Sequence, residues 1–149
     1  MIQNIKTLAV IFLVVSAIGF IDATYLTVTH YIGGIPPCTI RGCEIVLTSN
    51  QSRIAGIPVA LVGSLYYATL LMLSFAYLDS KKSSIIKFAS YCTVVGILAS
   101  IYFVYLQFFV IKAICPYCMI SAGTSATLFV LGMYILSQTR STTPANVSQ

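Results

Sequence analysis

Cysteine is the residue type that this chain spaces for chemistry. Cys115-Pro116-Tyr117-Cys118 is a C-x-x-C motif between two long apolar runs, and a second pair, Cys38 and Cys43, flanks Thr39-Ile40-Arg41-Gly42. Two cysteines at the C-x-x-C spacing can close a small disulfide ring at the start of a helix. There the unpaired backbone N–H groups and the macrodipole favour a thiolate, and Pro116 suits the first turn, where its missing N–H costs nothing. A disulfide across so short a loop constrains little chain, so the ring is poor as a staple and good as a redox couple. Cys38 and Cys43 read either as a loop staple or as a shuttle. The shuttle would be a mobile, exposed pair that takes electrons from a soluble dithiol and passes them to Cys115 and Cys118 by attack of thiolate on sulfur. Gly33, Gly34 and Gly42 would give the loop the freedom to carry a cysteine to the helix rim. Arg41 reads either as a charge that lowers a thiol pKa or as an ordinary solvated one. Four cysteines allow three pairings, and four converging sulfurs would also suit tetrahedral zinc. A non-catalytic metal-binding or scaffold membrane protein is therefore the alternative function. Cys92, alone in an apolar run, reads as a small buried hydrophobe.

The elements that must position these residues follow from composition. Hydrophobic residues make up 58% of the 149 and charged residues 7%, and mean hydropathy is +0.96. Soluble domains carry roughly 25% charged residues. A membrane span needs about 20 apolar residues, and four such runs occur, at about 7–31, 57–78, 85–111 and from Cys115 to near Leu136. The reading is an all-α integral membrane protein, a four-transmembrane-helix bundle with a large external loop between helices 1 and 2. The membrane domain covers 1–137, and a polar, disordered tail covers 138–149. The first run is too long for a signal peptide and lacks a clean cleavage site. In the loop, 32–56, Gly33-Gly34 and Pro36-Pro37 break the helix, and Glu44 to Leu47 is expected to form a short helix. Lys112-Ala113-Ile114 is a minimal hinge.

Four spans put both termini on one side. Lys6, Lys81, Lys82, Lys87 and Arg140 fall on that side, and Arg41, Arg53 and Lys112 on the other. Lysine and arginine favour the cytoplasmic face, so both termini are expected in the cytoplasm and both cysteine pairs on the external face of the cell membrane, where disulfides persist. The net charge of +5 thus bears on topology, and no nucleic-acid partner is expected. Asp22 is the one acid well inside a span, on roughly the same helical face as Tyr25 and Thr29. Intramembrane acids are costly and usually functional. Asp22 reads either as a bundle-facing carboxylate satisfied by hydrogen bonds or as part of proton handling for the redox site.

In order and spacing, these residues resemble bacterial and archaeal homologues of vitamin K epoxide reductase. The likeness rests on Gly19…Asp22-x-x-Tyr25-Leu26…His30, Cys38…Gly42-Cys43, Ser49, Gly56-Ile57-Pro58…Gly63 and Cys115-Pro116-Tyr117-Cys118. It spans about Gly19 to Leu136. The resemblance implies a four-helix bundle around a quinone, either menaquinone or ubiquinone. It implies Cys115 and Cys118 as the active-site pair with Cys118 nearest the quinone, Cys38 and Cys43 as the shuttle, and Ser49 as the loop hydroxyl near the quinone. It leaves metal ligands out. Vertebrate members have a tyrosine four residues after the motif, where this chain has Ala122. They also have an asparagine before the second helix, where it has Ile57-Pro58-Val59. These departures point away from epoxide reduction and toward oxidation of protein thiols at the expense of the quinone pool. Some bacterial members carry a fused thioredoxin-like domain; here the partner is expected to be a separate thioredoxin-like (DsbA-type) protein. An unrelated four-helix enzyme of the DsbB type carries its C-x-x-C in the first external loop, whereas here the motif heads the fourth helix.

Overall fold

The computed structural model describes residues 2–34, 37, 42–54 and 56–141. Among them the chain forms α1 (Ile2–Ile32), α2 (Gly42–Thr48), α3 (Val59–Ser80), α4 (Ser83–Tyr105) and α5 (Pro116–Ser141). Two short strands, β1 (Arg53–Ile54) and β2 (Ile57–Pro58), pair antiparallel with Ile54 opposite Ile57. Gly56, at φ +84°, makes the turn between them. The four helical stretches Ile5–Ile32, Val59–Ser80, Ser83–Ile111 and Pro116–Thr139 are long and apolar enough to cross a membrane, as expected for a multi-pass membrane protein. The short helix expected around Glu44 to Leu47 is α2.

The helix ends have local causes. After α1, Gly33 adopts φ +73° and the Gly34 N–H reaches back to the Thr29 carbonyl at 3.0 Å, a glycine-dependent C-terminal cap. Lys81, at φ 54°, caps α3 with its N–H on the Tyr77 carbonyl at 2.8 Å. The third span differs from a plain helix at its end. Leu106–Ile111 is wound as a π-helix and stops at Lys112, whose N–H bonds the Gln107 carbonyl. The Gln107 carbonyl also accepts from the Ala113 N–H at 3.2 Å. α5 continues past Leu136, because Thr139 is buried and its hydroxyl bonds the Ile135 and Leu136 carbonyls. The expected polar tail thus begins inside this helix, and residues 142–149 lie outside the described residues.

The bundle runs up, down, up, down. Gly19 and Thr24 of α1 meet Tyr67 and Ser64 of α3, and Ser90 and Gly96 of α4 meet Gly132 and Ser125 of α5. In each pair one number rises as the other falls, so the helices are antiparallel. Lipid gives no hydrophobic drive between helices, so close packing through small residues holds such bundles together. Phe12, Leu70, Ile86, Leu128 and Ile135 fill the centre, while Met72, Phe75, Phe109 and Val130 face outward, as a lipid-facing surface requires. Buried hydroxyls return to their own helices: Ser16 donates to the Phe12 carbonyl at 2.8 Å, and Ser74 to the Leu70 carbonyl at 2.7 Å.

Gly19 shows how tight the packing is. A Cβ there would run into the Tyr67 ring, which is held by its hydroxyl's bond to the Ser121 carbonyl at 2.6 Å. Gly123 meets nothing within 4 Å. We predict that Gly19→Ala destabilises the bundle by about 1–3 kcal/mol. Gly123→Ala should be neutral or stabilising by roughly 0.5–1 kcal/mol. Unfolding in detergent, followed by circular dichroism, checks both, and equal stability of the two variants would contradict this packing.

Candidate functional site

The site is built at the end of the bundle where α5 begins. Cys115 precedes the helix and Cys118 lies in its first turn. The backbone N–H of Cys115 would be an orphan of the helix start; it donates instead to Gln107 Oε1 at 2.9 Å. The Cys118 thiol donates to the Cys115 sulfur, and the N–H groups of Cys118 and Tyr117 reach the same sulfur. Against burial and the charge of Asp22, these bonds bring the Cys115 thiol down from 9.0 to about 7.

The two sulfurs face different surroundings. Cys115 is fully buried and shares a small cluster with Cys43 and Val46, against which Leu47, Ala113 and Cys118 also pack. Cys118 lines a cavity of about 310 Å³. The remaining wall is mostly apolar, with Val46 and Val59 at the loop end and Val95, Gly96 and Phe103 from α4. That size and mixture of apolar wall with a few polar groups suits a lipid-soluble ring compound.

Most residues singled out in the sequence have a definite place. Ser49 lines the cavity with Cys118, and its hydroxyl donates to the Val46 carbonyl at 2.7 Å. Ala122 and Val59 line it too, and neither side chain offers a hydrogen-bond donor. Asp22 does not line the cavity. Its charge reaches Cys115, Cys118 and Tyr67, and its buried Oδ2 has no hydrogen-bond partner among the described residues. Cys38 and Arg41 lie outside the described residues. Cys43 is disulfide-bonded, whereas Cys92, Cys115 and Cys118 are free. Cys92 packs against the main core. Among the described residues no group of three or more His, Cys, Asp or Glu side chains converges as metal ligands would.

Two expectations need correction. Cys43 is not exposed: only 1% of it is accessible, on the inward face of α2. Gly42 does not serve chain freedom either. It is buried in α2, and a Cβ there would strike the backbone carbonyl of Ile114. Glycine is needed for the close approach that seats Cys43 near Cys115. Tyr117 ties the motif to the other side of the site, with its ring 5.7 Å from that of Tyr25 and its hydroxyl donating to the Pro37 carbonyl at 3.4 Å.

Sequence reasoning missed Gln107 and Tyr67. Gln107, a lone amide in an apolar run, is 3% exposed; an uncharged polar side chain among aromatics was the available signal. The Tyr67 hydroxyl joins α3 to α5 at the Ser121 carbonyl and at Thr124 Oγ1, 2.9 Å away.

In comparison with known proteins, the sequence model of the vitamin K epoxide reductase family matches residues 10–133, well over half of the chain. No curated protein matches it.

Two measurements on the reduced Cys92→Ala protein test the site. Thiolate absorbance should rise with a midpoint near pH 7, the thiolate being present above that pH and lost below it. Cys118→Ala removes the main donor, so the midpoint should move up toward 9.0; an unmoved midpoint would remove Cys118 as the cause. Burial of Val46 contributes about 1.5–3 kcal/mol to α2 docking, and overpacking at Gly42 costs a similar amount, about 1–3 kcal/mol. Gly42→Ala should therefore loosen α2 with the bundle intact and speed alkylation of Cys115 at least tenfold. Unchanged alkylation would show that α2 does not shield Cys115.

Proposed function

Because this chain belongs to the vitamin K epoxide reductase family, whose members are in general quinone-linked thiol oxidoreductases, we propose that it oxidises the dithiol of a thioredoxin-like partner protein at a cell membrane and passes the electrons to quinone. Disulfide formation in extracytoplasmic proteins would be the outcome. The observation that carries this reading is the division of the two sulfurs, with Cys115 beside Cys43 and Cys118 on the cavity wall.

The steps follow from that division. The partner's dithiol reduces the Cys38–Cys43 disulfide and leaves as a disulfide. The Cys43 thiolate attacks Cys115 of the Cys115–Cys118 disulfide, and Cys118 leaves as a thiolate. Cys38 then attacks Cys43 and frees Cys115. A quinone held beside Cys118 would supply the oxidant, accepting the two electrons and two protons that the Cys115 and Cys118 thiols release as their disulfide re-forms. Asp22 stands within electrostatic reach of both sulfurs and serves as a proton relay for this step. Ser49 offers the cavity its hydroxyl lone pairs, since its proton is engaged by Val46. The quinone would be menaquinone or ubiquinone.

The charge bias supports both termini and the Lys81-Lys82 turn on the cytoplasmic side, and the loop of 32–56 with both cysteine pairs outside. An external site is where a disulfide product persists.

Electron transfer from a reduced thioredoxin-like protein to added quinone tests the proposal. Cys118→Ala should abolish quinone reduction in a bundle that still folds; normal turnover would exclude the route. Cys38→Ser should accumulate a Cys43–Cys115 disulfide, seen by non-reducing peptide mapping with Cys118 free for alkylation. Trapping of Cys38–Cys115 in Cys43→Ser, with nothing trapped in Cys38→Ser, would reverse the two shuttle roles.

A further inference from the structure

The cavity wall holds few groups with a proton to give. Ser49 gives its proton to the Val46 carbonyl, Ser52 to the Ser49 carbonyl and Tyr67 to the Ser121 carbonyl. The Tyr66 hydroxyl and Ser125 Oγ are without partners but fully enclosed by neighbouring atoms. Ser121 gives its proton to the Tyr67 hydroxyl and Cys118 to the Cys115 sulfur, so among the described residues Ser100 and Gln107 remain.

Gln107 differs from Ser100 in being fixed. A backbone N–H can only donate, so the atom facing Cys115 N must be the carboxamide oxygen. The amide NH₂ is thereby turned the other way. It makes no hydrogen bond with any described residue and is not among the fully enclosed polar atoms. Gln107 is one of the residues that line the cavity together with Cys118. The π-helical winding of Leu106–Ile111 sets this orientation, and local π turns inside helices are frequent at functional sites. A serine hydroxyl turns freely, whereas a donor already held in place loses less freedom on binding.

We propose that Gln107 is a quinone-binding residue, whose Nε2 donates a hydrogen bond to the quinone carbonyl nearest Cys118. This rests on the quinone reading above and supplies the donor that Ala122 and Val59 do not. It also links the two halves of the site. One carboxamide would hold the Cys115 N–H through its oxygen and the ligand through its nitrogen, so the motif and the quinone carbonyl would be set against each other by a single planar group.

The test uses the full chain in lipid and a short-tailed quinone labelled with carbon-13 at its carbonyls, chosen as one that the wild type reduces. Infrared difference spectra should show one carbonyl stretch lowered on binding. In Gln107→Met that stretch should return toward the free value, and quinone affinity should fall about three- to tenfold, the effect of one neutral hydrogen bond. Ser100→Ala should leave both unchanged. Because Gln107→Met also removes the acceptor for Cys115 N, a wild-type measurement stands beside it. Solid-state NMR with nitrogen-15 in glutamine side chains should detect a dipolar contact to the labelled carbonyl within about 4 Å. Absence of that contact in wild type, or a shift abolished by Ser100→Ala and kept in Gln107→Met, overturns the assignment of Gln107 and leaves the quinone reading standing. Failure of the wild type to bind or reduce any quinone overturns both.

Discussion

The bond from the Cys115 N–H to Gln107 Oε1 is the constraint on which the site depends. A C-x-x-C motif at a helix start has an unsatisfied N–H and two sulfurs that must point differently. The Gln107 oxygen satisfies that N–H and fixes where α5 begins. Once the start is fixed, helical geometry carries Cys118 round to the cavity side while Cys115 stays behind under α2. The glutamine reaches this place because the end of the third span is wound as a π-helix, which alters the phase of the last turn relative to an α-helix.

The bundle below gives that arrangement a rigid base. Gly19 lets Tyr67 lie flat against α1, and the Tyr67 hydroxyl then ties α3 to α5 at Ser121. Gly96 does the same for Tyr66 and Ser125. Apolar packing in lipid lacks the drive it has in water, so these close approaches and interhelical hydrogen bonds carry the positional information. The cavity lies among small residues such as Gly63, Gly96, Ala122 and Ser125, with Val46, Ser49 and Ser52 also on its wall.

Much of this was legible in the residues. Runs of apolar residues define the four long helices, and the glycines after α1 and the two lysines after α3 mark real ends. The order of motifs marks the family. What was not legible depended on contacts across helices. Gly42 resembles a flexible residue in sequence, and only the nearness of the Ile114 backbone shows that it is there for lack of a side chain. Gln107 is a single polar letter in an aromatic run, and its partner sits past a turn whose geometry no periodicity reveals. Cys43 is apolar enough to bury and reactive enough to expose; the inward face of α2, shared with Val46, decides between them.

The burial of Cys43 and Cys115 separates access from reactivity. Cys115 has a thiol acidic enough to react readily near neutral pH, yet its surface is closed to solvent, and it does not line the cavity. A small reagent therefore meets α2 and its neighbours before it meets the Cys115 sulfur, whereas Cys118 is reached from the cavity. Selectivity in this fold then arises from who can reach the sulfur, while the sulfur itself stays indiscriminately reactive.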